Sequence, residues 1–444
     1  MSSQLSEKIY YRITFSLASA LAVGSGKNEK SDKDIILNSL EKPYIPASAL
    51  TGVYKSLFSE ENAKKYFGNV VINQSKEKKN KNYATESRII TYDANLREDN
   101  YKLSIRDCVG LDEWKTSVKG AKFDFEILEP GAKFVTYLEE NVYESKSESG
   151  SELIANAWKN GEISLGAKTS RGFGKLEVES IQKQKFNFDE ETEIASWLDF
   201  DLYDDKCWED VQQWSPEMDE GQLKKLGKAK EFLILKLVLK QEGPITIRRY
   251  TTEVFAENGK NNIPDYEQLV YVRDKEKIPV IPGTTWAGAF RHHMMQLNKN
   301  SVGSVFGRKS SDEKQKDGKK SDIIFSESEI KGAKEKIVTR NGINRFTGGS
   351  ADGALFTEKM FYGGYTDFVI SFNKKKCGME FRKTLAAAIA DLNMGVLSIG
   401  GETSVGHGIF SVSSVSVENQ AIAEHPVESD QLYELIADAL TREV

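Results

Sequence analysis

Two glycine-bracketed segments of the chain have the composition of an anion-binding turn. Each places three glycines at matching positions around a Thr-Ser pair. The residues that could contact an anion are Gly166, Lys168, Thr169, Ser170, Arg171, Gly172 and Gly174 in the first turn, and Gly400, Thr403, Ser404, Gly406, His407 and Gly408 in the second. Glycine lets the backbone bend tightly, so that N–H groups can point at an anion. One such turn is weak evidence, but its recurrence predicts a repeated binding element.

The two turns differ at two positions that affect charge. Glu402 stands opposite Lys168, and Val405 stands opposite Arg171. A carboxylate repels phosphate. The second turn is therefore expected to rely on Thr403, Ser404 and backbone amides, and the two turns are expected to bind with different strength.

A proline-led helix precedes each turn and reveals a duplication. Proline is favoured in the first turn of a helix, and Ser48 is the predicted N-cap residue of the first of these helices. Pro282 lies 236 residues after Pro46, and Gly408 lies 234 residues after Gly174. Nearly equal offsets over so long a span predict a duplicated domain.

The order of predicted elements indicates an α+β fold in two copies. Each copy contains a strand, the proline-led helix, further strands with a charged insertion, a second helix, the glycine turn and a last strand. We predict a first module at residues 1–183, a connector at 184–229, a second module at 230–418 and a C-terminal helix at 419–444. Trp286 and Phe290, four residues apart on the second proline-led helix, are predicted core residues.

The acidic residues are concentrated in the connector. The chain has 61 basic and 67 acidic residues, a net charge of −6. Residues 189–220 contain 13 of the acids and one base, Lys206, so the rest of the chain has 60 basic and 54 acidic residues. The negative total therefore does not argue against nucleic-acid binding by the two modules.

The cysteines and the hydrophobic pattern favour a cytoplasmic protein. Cys108, Cys207 and Cys377 lie far apart, which suits neither a disulfide framework nor a zinc site. The apolar run at residues 15–23 is short and continues a strand pattern, so we expect neither a signal peptide nor a membrane span.

Three motifs resemble those of RAMP-superfamily backbone subunits from type III CRISPR effector complexes. They are the segment Ile-Pro-Gly-Thr-Thr-Trp-Ala-Gly-Ala-Phe-Arg at 281–291, the run from Arg340 to Arg345 with the following 353–358, and the glycine turn at 166–174. The resemblance covers residues 8–183 and about 230–417. It implies two tandem modified RRM-like (ferredoxin-like) modules, each with an inserted β-hairpin thumb. Such subunits bind guide RNA (crRNA) in a ribonucleoprotein of antiviral defence.

The resemblance also implies roles for particular residues. The two glycine turns would hold guide phosphates together with polar and basic residues nearby, which are Ser48, Lys55, Thr284, Thr285, Arg291, Arg340 and Arg345. The first copy departs from the family pattern at Ala47, where a glycine is usual. The implied partners are the guide RNA, a complementary target RNA and other effector subunits.

In catalytic members, an acid between the first strand and the proline-led helix cleaves the target RNA with a divalent metal. This acid falls on Asp32, with Asp34 as the alternative, and on Asp265 in the second module, where the spacing to the proline is longer. Mg²⁺ or Mn²⁺ bound at Asp32 would neutralise charge while a ribose 2′-OH attacks the adjacent phosphate.

Two other functions stay open. Several RAMP subunits lack the acid and bind RNA without cutting it. A guide-processing endoribonuclease acting through histidine is the second alternative, because His292 and His407 lie on motifs of the second module. Neither histidine has a counterpart in the first module.

Overall fold

The protein was analysed as a computed structural model, and the chain forms two compact units. The structure describes residues 4–24, 34–71, 83–111, 117–143, 149–227, 231–249, 266–273, 276–308, 318–423 and 428–442. The first unit comprises residues 1–104, 126–167 and 174–230, and the second comprises 105–125, 168–173 and 231–444. The first glycine turn, although part of the first sequence repeat, therefore packs within the second unit.

The first half of the chain contains ten strands and five helices in its described part. The strands are β1 (Glu7–Leu17), β2 (Tyr44–Ile45), β3 (Asn69–Val71), β4 (Tyr83–Thr85), β5 (Ile89–Thr91), β6 (Ala94–Leu96), β7 (Leu103–Leu111), β8 (Ser117–Leu128), β9 (Lys133–Val142) and β10 (Leu176–Asn187). The helices are α1 (Ala47–Leu57), α2 (Glu60–Phe67), α3 (Gly150–Lys159), α4 (Glu191–Leu198) and α5 (Glu220–Leu226).

The second half repeats the order of the main elements. Its strands are β11 (Phe232–Gln241), β12 (Arg248–Arg249), β13 (Tyr266–Gln268), β14 (Val270–Arg273), β15 (Glu276–Ile281), β16 (Ile323–Phe325), β17 (Ser328–Lys331), β18 (Lys334–Ile343), β19 (Ser350–Tyr362), β20 (Tyr365–Asn373), β21 (Phe410–Val417) and β22 (Gln420–Ala423). Its helices are α6 (Gly283–Leu297), α7 (Lys299–Val302), α8 (Met379–Asn393) and α9 (Ser429–Arg442).

Both units are built around an antiparallel sheet with the same strand order. In the first unit β1 lies between β10 and β9, and β5 pairs with β9. In the second unit β11 lies between β21 and β20, and β16 pairs with β20. Counted along the chain within each copy, these four strands have the order 4-1-3-2, with α1 or α6 after the first and α3 or α8 after the third. This order is compatible with the expected RRM-like module.

A shared irregularity in the pairing of the central strand supports the duplication. The register of β1 against β10 shifts between Thr14 and Phe15, and that of β11 against β21 shifts between Val238 and Leu239. In both sheets the extra residue is on the last strand, Glu179 in β10 and Ser413 in β21. A β-bulge bends a strand and increases its twist locally, so the strand after each glycine turn is distorted at the same position.

Alternation along the central strands produces the two cores. Leu233, Leu235, Leu237 and Leu239 of β11 point to one face and are buried, as a period of two requires. On α6, Trp286 and Phe290 are fully buried in the same cluster, which confirms the core prediction for these residues. Trp158 of α3 is buried against Phe15 in the first unit.

The acidic segment packs on the first unit as a folded layer. It contains α4, α5 and a 3-10 turn at Asp205–Trp208. Trp208 is buried in a cluster with Tyr10, Tyr137 and Phe186 from the sheet, and Trp197 Nε1 donates to the hydroxyl of Tyr10 at 2.9 Å. The tryptophans thus attach a highly charged segment to the sheet.

Two long β-hairpins lie at corresponding places of the two sequence copies. They are β7–β8 and β18–β19. The expected thumb of each module is a hairpin of this kind. Residues 104–111 and 117–122 are strand although they are largely polar. Their polar composition hides the strand period, because β18, the better described counterpart, is exposed or half-buried along its whole length. Within the described ranges, no helix is long and apolar enough to cross a membrane.

Candidate nucleic-acid interface

The two glycine turns have the same backbone conformation. A 3-10 turn at Thr169–Arg171 follows Lys168 at φ 60°, and one at Thr403–Val405 follows Glu402 at φ 55°. Gly172 and Gly406 end these turns at φ 86° and 89°, a region that only glycine enters without strain. The sequence repeat is therefore a structural repeat at the residue level.

Backbone hydrogen bonds fix each turn to the strand end behind it. Gly174 N donates to Ala20 O at 2.8 Å in the first turn, and Gly408 N donates to Pro244 O at 2.7 Å in the second. A Cβ atom on Gly174 would lie 1.8 Å from Leu165 O, and one on Gly408 would lie 1.8 Å from Ile399 O. These glycines are required by the close approach of two backbone segments.

The first turn presents hydroxyl and basic side chains. Arg171 is exposed, and Thr169 and Ser170 are half-buried. Lys168 Nζ lies over the Phe125 ring, 2.8 Å from its centroid, and 4.8 Å from the centroid of Phe123. The aromatic rings of β8 thus hold the Lys168 cation beside the turn.

The first turn also packs tightly against the second proline-led helix within the second unit. A Cβ atom on Gly283, the first residue of α6, would lie 2.3 Å from Arg171 O and 2.4 Å from Phe325 O. A Cβ atom on Gly172 would lie 2.3 Å from Glu327 N. The equivalent glycine of the second turn, Gly406, has no atom within 4 Å of a Cβ position.

Two arginines form salt bridges with the glutamate of the second turn. Arg340 Nη1 lies 2.7 Å from Glu402 Oε2, and Arg248 Nη2 lies 3.2 Å from Glu402 Oε1. The predicted repulsion between Glu402 and phosphate is therefore offset in this structure by two guanidinium groups. Arg340, an expected RNA contact, is half-buried and holds the turn to β18.

The hydrogen bonds of His407 indicate which of its ring nitrogens carries the proton. Arg340 Nη2 lies 2.8 Å from His407 Nε2, and a guanidinium can only donate, so Nε2 accepts. Burial, assisted by Arg340, lowers the pKa of His407. The ring is therefore neutral with its proton on Nδ1, which faces Thr246 Oγ1 at 3.3 Å. At 1% exposure, the ring offers no surface for direct contact with RNA in this structure.

A buried glutamate completes this cluster. Glu358 of β19 has no exposed surface, and neither of its carboxylate oxygens has a hydrogen-bond partner among the described residues. Its closest cation is Arg340, with Nη1 at 4.0 Å from Oε2. Burial, followed by the neighbouring Glu402 carboxylate, raises the pKa of Glu358 to about 7.

The Glu358, Glu402 and His407 group has ligand-type atoms within 4.8 Å of one another, but it does not fit a cation. Arg248 and Arg340 already neutralise Glu402, and the Nε2 lone pair of His407 is taken by Arg340. A divalent ion here would meet two guanidinium groups and a protonated Nδ1. We therefore do not assign these residues to a metal centre.

The expected catalytic acids, Asp32 and Asp265, lie outside the described residues. Asp32 is also the expected metal ligand. The alternative acid, Asp34, is described and is buried at 7% exposure. It precedes Ile35, whose N–H donates to Glu126 Oε2 at 3.0 Å.

The proline-led helices begin one residue before the predicted cap. Pro46 and Pro282 occupy the N-cap positions with nearly identical angles, φ −59° and ψ 140° or 143°. The N-cap prediction for Ser48 is wrong, because Asp93 Oδ1 accepts from Ala47 N at 2.6 Å and satisfies the helix start. Of the other predicted contacts, Ser48, Lys55, Arg291 and Arg345 are exposed, whereas Thr284 and Thr285 are half-buried.

Sequence reasoning missed a buried arginine at the base of the first hairpin. Arg106 Nη2 donates to the Tyr271 hydroxyl at 2.6 Å, and that hydroxyl donates to Glu327, whose other oxygen lies 3.3 Å from Arg106 Nη1. Arg106 parallels Arg340 in the sequence repeat, and each of these two arginines contacts a glutamate of the second module. The only sequence signal was that alignment, since Glu327 is 221 residues away.

Comparison with protein families identifies the superfamily to which the chain belongs. The family model of the RAMP superfamily matches residues 14–177 and 244–411, which together exceed half of the chain. A search of curated proteins gave no match. The superfamily is associated with CRISPR-related RNA binding. The chain therefore belongs to the RAMP superfamily and contains two tandem copies of its domain.

Proposed function

We propose that this protein is a guide-RNA-binding backbone subunit of a type III CRISPR ribonucleoprotein, in which each RRM-like module contacts part of the guide. One observation carries the proposal. Both copies of a RAMP domain present a glycine turn of the same conformation, anchored by the same backbone hydrogen bonds. A backbone preserved this closely in both copies suits a ligand that repeats along its length, as an RNA backbone does.

The two turns would hold guide phosphates by different means. In the first turn, Arg171 and Lys168 supply charge, and Thr169 and Ser170 supply hydroxyl donors. In the second, a phosphate would compete with Glu402 for Arg248 and Arg340. Phosphate contacts release counterions, so binding should weaken steeply with added salt.

For catalysis, we propose that Asp32 cleaves the complementary target RNA with Mg²⁺ or Mn²⁺, and that Asp265 is the second candidate. Burial of Asp34 supports Asp32 over Asp34, since a metal-binding acid must reach the RNA phosphate. When bound, the metal would neutralise charge at the phosphate attacked by the ribose 2′-OH.

The assembled complex provides the test. Labelled complementary RNA is incubated with Mg²⁺ and complexes carrying the wild-type chain, Asp32→Ala, Asp265→Ala or Asp34→Asn. We expect Asp32→Ala to lose one cut while still binding target. An unchanged cleavage pattern in both alanine variants, with target still cut, would refute both acids. A complex that binds target and never cuts it would identify a non-catalytic subunit.

The structure gives little support to the histidine alternative. His407 is buried and neutral. His292 Nε2 lies 3.1 Å from Gln296 Nε2 of the same helix, α6. Guide processing that persists in EDTA and is lost in His292→Ala would favour that alternative.

A further inference from the structure

Glu358 is a carboxyl group in the middle of a charged cluster, and it accepts no hydrogen bond from the residues that the structure describes. It lies on β19, opposite Val338 of β18 and Tyr266 of β13. A buried ionised carboxylate without hydrogen bonds is strongly disfavoured, whereas the protonated acid can donate to an adjacent carboxylate. Glu402 is that carboxylate, and its two oxygens accept hydrogen bonds from Arg248 and Arg340.

The charged and titratable groups around Glu358 come from three elements. Arg340 extends from β18, Arg248 from β12, and Glu402 and His407 from the second glycine turn. The next residue along the strand, Lys359, pairs with Glu335 and lies near Lys277, with Glu267 close by. Since neighbouring residues of a strand point to opposite faces, that group is separate from the Glu358 cluster.

We propose that Glu358 carries a proton when the second glycine turn binds RNA, and that loss of this proton weakens RNA binding at that turn. The inference rests on the proposed RNA-binding function. With Glu358 neutral, two guanidinium groups face one carboxylate and the cluster has a net charge of +1. With Glu358 ionised, the net charge is zero. A phosphate favours the first state, and by linkage its binding favours protonation.

The first experiment measures binding of a labelled guide-length single-stranded RNA to the full chain at pH 6 and pH 8, at constant ionic strength. Glu358→Gln mimics the neutral acid, and Glu335→Gln on β18 is the matched control that removes one carboxylate elsewhere. Because one linked proton changes affinity by at most about tenfold per pH unit, we expect roughly five- to tenfold weaker binding at pH 8 for wild type and Glu335→Gln. Glu358→Gln should change less than about twofold.

A second measurement without RNA separates failure of this inference from failure of the proposed function. The folded-state pKa of Glu358, about 7, lies above that of an unfolded glutamate, about 4.3. The folded chain therefore binds more protons between these values, and its stability falls as pH rises through that window. The melting temperature of Glu358→Gln should not show this fall with rising pH, whereas that of Glu335→Gln should still show it. In wild type, infrared difference spectra should show a protonated carboxyl band that disappears near neutral pH.

Three results would overturn the proposal. The first is wild-type pH dependence of RNA affinity in Glu358→Gln. The second is absence of the carboxyl band at pH 6. The third is stabilisation of the wild type, but not of Glu358→Gln, by added Zn²⁺, because a cation rather than a proton would then neutralise the pair. If no RNA binds at any pH but the thermal and infrared results hold, the proton assignment stands and the proposed function fails.

Discussion

Replacement of Gly283 by alanine tests the close packing between the first glycine turn and α6. The added methyl would lie 2.3 Å from Arg171 O and 2.4 Å from Phe325 O, whereas ordinary contacts are 3.4–4 Å. Both neighbours are backbone atoms, so no rotamer change relieves the clash. Forced overpacking of this kind costs about 1–3 kcal/mol. For a domain of this size, each kcal/mol lowers the melting temperature by about 2–4 °C.

Gly288→Ala on the same helix is the matched control. No atom lies within 4 Å of its Cβ position. Alanine there should stabilise the helix by about 0.5–1 kcal/mol, because it loses less conformational entropy than glycine on folding. The two substitutions should therefore shift the melting temperature, followed by circular dichroism, in opposite directions. Equal stabilisation by both would refute the contact, since Ala47 shows that a proline-led helix accepts alanine at its first position.

Three further predictions concern the turns and the first core. Gly172→Ala should lower the melting temperature more than Gly406→Ala. A positive φ costs alanine about 1–2 kcal/mol at both positions, but only at Gly172 would the added Cβ also clash with backbone atoms. Equal losses of stability would contradict this. Glu140→Ala should cost about 2–4 kcal/mol in urea denaturation, because Glu140 accepts from the amides of Gly150 and Ser151 at the start of α3; exposed Glu60→Ala should change little. Arg171→Ala should weaken guide RNA binding and reduce its salt slope by about one contact, whereas Arg442→Ala on α9 should not.

The features that repeat along the chain could be predicted from the sequence. The glycine turns, the proline-led helices and the core pair Trp286 and Phe290 each depend on local spacing, and duplication made the spacing visible twice. The C-terminal helix predicted within residues 419–444 corresponds to α9, whose buried Leu432, Ile436 and Leu440 follow a helical period.

The features that depend on distant partners could not be predicted. Glu402 was expected to repel phosphate, but its arginine partners come from strands far away in sequence. Glu358 gave no local signal, because a glutamate inside an alternating polar strand usually faces solvent. The cap prediction failed similarly, since Asp93 reaches Ala47 from 46 residues away.

The aromatic attachment of the acidic layer limits how RNA can approach the first unit. Tyr10, Tyr137 and Phe186 would otherwise be available on the sheet surface, yet they are buried beneath Trp208. A polyanion that approaches that face is repelled by the carboxylates of the acidic segment and finds no exposed rings on which bases could stack. The acidic segment therefore covers this face of the sheet, and the aromatic side chains beneath it are not accessible for base stacking.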